Sequence, residues 1–153
     1  MTYTAHEGHE RILVDGAGAA ACLLGAIEAL GNAYEELDEH AADDLEAKLY
    51  GPTGSAAKTL LGSIGAFAQR SGETFERPVA KHFPGGREAH AKEHVDAAVA
   101  FIREADEILA ELQDSLLPVE VGDEQLREGL ASTRRTIAPL PQAARELERT
   151  LGR

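Results

Sequence analysis

Residues 7–50 read EGHERILVDGAGAAACLLGAIEALGNAYEELDEHAADDLEAKLY, and their periodicity decides the fold class. Small or apolar residues recur at Leu13, Ala17, Ala20, Leu24, Ile27, Gly31 and Tyr34, with spacings alternating between four and three. That pattern predicts a helix packed along a seam. Leu37, Ala41, Leu45 and Leu49 continue the seam with a slight drift around the axis. Read as unbroken, a helix over 7–50 is roughly 65 Å long at ~1.5 Å per residue. Gly16, Gly18, Gly25 and Gly31 each cost about 1 kcal/mol relative to Ala. So many glycines point to close approach by a neighbouring helix, with a kink as the alternative.

Gly51-Pro52-Thr53-Gly54 reads as a stop signal. Ser55 is then the expected N-cap of a second helix over 55–71, with Leu60, Leu61, Ile64 and Phe67 on its inner face. A third helix is expected over 87–117, where Ala98, Ile102, Ala105, Leu109 and Leu112 lie on the cleanest amphipathic stripe. Pro118 is expected to stop it. A fourth helix over 123–150 is expected to start at Asp123 and to be kinked or divided by Pro139 and Pro141. No run alternates as a strand does. The fold expected is an all-α antiparallel bundle of about four helices in one domain over 1–153, with a long N-terminal helix.

Composition narrows the function classes. The 153 residues carry 27 acids against 15 Lys and Arg, a formal charge of −12, which opposes a broad nucleic-acid footprint. With 43% hydrophobic residues the chain has enough apolar material for a core. One cysteine excludes an internal disulfide; Cys22, among Ala and Leu, is expected to be an inert packed thiol. No basic start precedes an apolar run, and the uncharged stretch Gly16–Ile27 is shorter than a membrane span needs. A cytoplasmic protein without membrane or nucleic-acid partners is therefore expected.

The acids are unevenly placed. Residues 1–50 hold 11 acids and 2 bases, whereas residues 51–87 hold 2 acids and 5 bases. The densest run, Glu35 to Glu46, has seven acids and no Lys or Arg. It reads as a solvated helix face; the functional alternative is a docking surface for a basic protein, presented by Glu35, Glu36, Glu39 and Asp43. The Ala/Gly seam of the first helix is longer than the second helix covers, so a homodimer through its N-terminal half is also expected.

The long connection 72–86, GETFERPVAKHFPGG, has no periodicity. Loops of this length are uncommon in compact domains and often functional. Phe75 and Phe83 are expected to cover an open end of the core, with ligand contact, together with His82, as the alternative.

One metal constellation stands out. His90 and His94 are four apart on the expected third helix and share a face. With a third ligand, His40 or else Asp43 or Asp44, they would hold a divalent transition metal. The pair resembles the His-x-x-x-His element of hemerythrin-like and DinB-like metal bundles, a resemblance of five residues that implies metal binding and possible enzymatic use. Hemerythrin-like bundles need further His motifs, and the expected fourth helix contains no histidine. Residues 90–94 also spell the inverted zinc-protease motif H-x-x-E-H, in a chain with no room for its catalytic domain. Residues 51–59 lack the glycine a phosphate loop needs before Lys58, and Gly16-x-Gly18 lacks a third glycine at 21. The best-supported expectation is a non-catalytic interaction or assembly protein without cofactor; the metal-binding bundle is the alternative.

Overall fold

The computed structural model describes residues 4–85 and 89–151, and helices are its only regular elements among them. They are α1 (Ala5–Glu36), α2 (Glu39–Leu45), a π-helical turn (Glu46–Tyr50), α3 (Gly51–Ser71), α4 (Ala91–Asp114), α5 (Leu117–Glu120), α6 (Glu124–Ile137) and α7 (Leu140–Leu151). The expected helix start at Arg87 and the loop end at Gly86 lie outside the described residues.

These helices form four rods. The first is α1, and the second runs without interruption from α2 through the π turn into α3. The third is α4, and the fourth is α6 followed by α7. Contacts set their directions. Gly16 faces Ile64 and Gly31 faces Tyr50, so α1 and the second rod are antiparallel. Gly18 faces Ile108 and Gly25 faces Phe101, so α1 and α4 are antiparallel as well. Gly129 meets Ser63, which sets α6 against α3, and Pro141 shares a groove with Arg103, which sets α7 against α4. The second and third rods therefore point the same way and lie across the bundle from each other. Two parallel rods joined in sequence need a long crossover, which is the physical reason for the connection after Gly72.

The crossover is a strap along α1. Gly72, in the left-handed conformation at φ 73°, ends α3, and the Glu73 amide donates back to the Ala68 carbonyl at 2.9 Å. Further on, the Lys81 amide donates to the Ala21 carbonyl in mid-α1 at 3.0 Å.

The expected helix over 7–50 is corrected: it breaks at Leu37–Asp38 and does not stop at Gly51–Gly54. Leu37 is extended, and the Asp38 carboxylate accepts from the Ala41 amide at 2.9 Å, capping a new helix. Downstream, Pro52 does not break the rod because it falls in the first turn after the π turn, where its missing N–H is tolerated. There Gly51 donates to the Glu46 carbonyl, and the buried Thr53 hydroxyl donates to Leu49 at 2.7 Å. Ser55 is thus mid-helix and caps nothing. Pro118 does not end α4 either. The helix ends at Asp114, and Leu116 turns the chain at φ 65° with its side chain 55% exposed. A left-handed non-glycine residue costs about 1–2 kcal/mol. Leu116→Gly is therefore expected to stabilise the fold by a net ~0.5–1 kcal/mol after the added chain entropy, seen as a higher midpoint in thermal unfolding.

The core is built on α1, whose Ile12, Leu23, Ala26 and Leu30 are fully buried with Ile64, Ile102, Leu109, Leu126 and Leu130. Among the described helices, α1 alone is long and apolar enough to cross a membrane by length and composition; 56% of its most apolar window is buried in the bundle. The small-residue seam packs largely within the chain. Leu13 and Ala20 are buried, and Leu24, Ile27 and Tyr34 pack against the core. α3, α4 and the strap supply much of this cover from the same chain, while Ala17, Leu24, Ile27, Gly31 and Tyr34 stay partly exposed.

Candidate functional site

The three histidines of the metal constellation have separate environments. His90 is the residue before the first turn of α4, with extended backbone, so it does not share a helical face with His94. His94 is 4% exposed, packs edge-on against the Phe83 ring at 5.6 Å, and has no hydrogen-bond partner at Nδ1 among the described residues. His40 stands in solvent with its ring 3.9 Å from Asp44. Among the described residues no three His, Cys, Asp or Glu side chains converge as a metal would need.

The strap places its own candidates along α1. Glu73 accepts from His6 at 2.8 Å and lies 3.5 Å from His9. The hydrogen bond to Glu73 raises the His6 pKa and in return lowers that of Glu73. Phe75 is half-buried against the core. Lys81 pairs with Glu104 of α4 above Cys22, whose thiol burial pushes up to about 11. Such a thiol stays protonated and unreactive. His82 is exposed and lines, with Phe83, a small recess against Gly25, Glu28 and Asn32. Both phenylalanines thus make packing contacts, Phe75 with the core and Phe83 with His94.

The acidic run forms the α1–α2 corner. Glu35, Glu36, Glu39 and Asp43 are all exposed. Among the described residues, none of the seven carboxylates between Glu35 and Glu46 pairs with Lys or Arg. Elsewhere some acids do find bases: Asp15 with Arg11, Asp123 with Arg70, Asp96 with Lys92, Glu104 with Lys81 and Asp106 with Arg134. Glu35 and Glu36 also occupy the last turn of α1, which holds no basic residue. Carboxylates at a helix C-terminus oppose the macrodipole, and Glu39 and Asp43 repel each other across one turn.

The chain matches no protein-family model, no curated protein and no solved structure.

One cluster was missed by sequence reasoning. Asp96 of α4 and Glu148 of α7 line a groove of about 370 Å³ with Arg103 and Arg145. Glu148 Oε1 is buried without a partner among the described residues. Burial first, then the hydrogen bond and charge of Asp96, push the Glu148 pKa up to about 7, with Lys92 acting in the opposite sense. The neighbouring Asp96 carboxylate, across the α4–α7 contact, thus favours the protonated form of Glu148. The available signal is positional: Glu148 follows Leu140 and Ala144 at steps of four, which aims a carboxylate along the packed side of α7.

Proposed function

We propose that this chain is a non-catalytic interaction protein whose docking surface is the acidic α1–α2 corner and whose partner presents a basic surface. The observation that carries the reading is the density of the corner: seven carboxylates fall within the twelve residues Glu35 to Glu46, and none has a Lys or Arg partner among the described residues. Their placement against the helix dipole and against one another lowers stability by a few tenths of a kcal/mol to about 1 kcal/mol per site. A surface kept at the expense of stability is characteristic of a functional site. Unneutralised charge on one side also steers encounter with an oppositely charged partner and makes it salt-dependent.

The test is binding of a fluorescent lysine-rich peptide to the full chain, followed by anisotropy. Wild type should bind at low ionic strength and release in about 0.5 M salt, where the screening length is only a few Å. A Glu35→Lys, Glu39→Lys, Asp43→Lys variant should lose binding while its melting temperature holds or rises. Equal binding by wild type and variant would refute the reading.

A further inference from the structure

The glycines of α1 and α3 differ in a way that points outside the chain. A Cβ at Gly16 or Gly25 would strike Ile64 or the Lys81 carbonyl, so those glycines serve internal packing. A Cβ at Gly54 or Gly62 would meet nothing within 4 Å, although both lie inside α3. Each lowers helix stability by about 1 kcal/mol relative to Ala, with no neighbour among the described residues to account for it.

Both glycines border a groove of about 440 Å³ between α1 and α3. Its apolar walls are Leu24, Ile27 and Leu61, each only partly buried, and its charged groups are Lys58 and Arg77. These two cations are exposed and have no acidic partner among the described residues. The groove is therefore basic, apolar-walled and shallow, and so complementary to an acidic surface carrying small side chains. The α1–α2 corner of the same protein is such a surface: its carboxylates lack Lys or Arg counter-ions among the described residues, Ala41 lies between them on the chain, and the exposed Ala47 follows the last.

We propose that the α1–α3 groove receives the acidic α1–α2 corner of a second copy of this chain, forming a two-fold dimer. The proposal rests on the reading of the corner as a docking surface and names its basic partner. α1 contributes to both surfaces, with Glu35 eight residues beyond Ile27, about 12 Å along the helix. An antiparallel copy thus sets each corner over the other's groove. Both contacts then close together and no unfilled surface is left to propagate a filament.

Sedimentation equilibrium of the full chain tests this. Wild type should dimerise at low ionic strength and dissociate in about 0.5 M salt. Lys58→Glu with Arg77→Glu, and separately Glu39→Lys with Asp43→Lys, should each weaken the dimer about tenfold or more. An equimolar mixture of the two variants should dimerise again, because each reversed groove meets a reversed corner. A wild-type monomer at low salt, a dimer indifferent to either pair of substitutions, or a mixture that stays monomeric overturns the proposal. If the chain is monomeric yet its corner still binds the lysine-rich peptide, the dimer fails and the docking surface stands; if peptide binding also fails, both fall.

Discussion

Gly25→Ala is expected to destabilise the protein by about 2 kcal/mol, against the direction of helix propensity. Propensity alone favours Ala in mid-helix by about 1 kcal/mol. The added methyl, however, would lie 2.6 Å from the Lys81 carbonyl oxygen and 3.2 Å from two atoms of the Phe101 ring. A side-chain terminus could swing away, but the Lys81 carbonyl is strap backbone held by the hydrogen bond that the Lys81 N–H donates to the Ala21 carbonyl at 3.0 Å. Making room means lifting the strap or shifting α4. Overpacking a close contact costs about 1–3 kcal/mol, and loss of that hydrogen bond adds about 1 kcal/mol. The exposed Lys81–Glu104 pair adds little. The steric and hydrogen-bond losses together exceed the propensity gain. Urea unfolding should show a lower midpoint at unchanged slope, with faster exchange of the Lys81 amide. Gly62→Ala is the control: with open space around it, it should stabilise the monomer by about 1 kcal/mol. A Gly25→Ala variant as stable as Gly62→Ala would show that the strap does not seat against α1.

The same contrast explains how much of the fold was legible. The four-and-three spacing in α1 and the stripe from Ala98 to Leu112 are properties of each helix alone, and they identify the helices and their buried sides. Breaks depend on a competition that local signals do not settle. Gly51-Pro52 has the composition of a stop, yet a π turn and the Thr53 hydroxyl keep the rod intact there. Leu37-Asp38 lacks glycine and proline, yet the Asp38 cap starts a new helix. Direction was legible only through loop length. A crossover from Gly72 to His90 is longer than neighbouring antiparallel rods need, and the structure uses it to join two rods pointing the same way.

The candidate sites divide along the same line. The acidic corner is contiguous in sequence, so its charge is visible in the chain before folding; the absence of counter-ions appears only once the rods are placed. His90 and His94 suggested a shared face because spacing assumes helix at both positions, and His90 lies one residue outside. Asp96 and Glu148 are 52 positions apart, and only the pairing of α4 with α7 gives that carboxyl pair its chemistry.

That pairing makes stability depend on pH in the direction opposite to most carboxylates. Glu148 rises from 4.5 to about 7 in the folded state, so the folded protein holds a proton there that the unfolded chain has released. Stability from this group is fully present below about pH 4.5, declines as pH rises, and is gone above about 7. A shift of that size corresponds to at most about 3 kcal/mol; partial exposure of the side chain and solvent screening reduce the expected effect to about 1–2 kcal/mol. Asp123 acts oppositely, since the Arg70 fork at 2.7 Å lowers its pKa and its contribution is lost only as acid protonates it. Glu148→Gln cannot ionise and keeps a hydrogen-bond donor for Asp96. At pH 8 it should therefore be more stable than wild type by about 1–2 kcal/mol, and at pH 4.5 the two should nearly coincide. Urea midpoints across that range measure the difference. A gap that stays constant with pH would mean that Glu148 is ionised throughout and that α7 is held to α4 by packing alone.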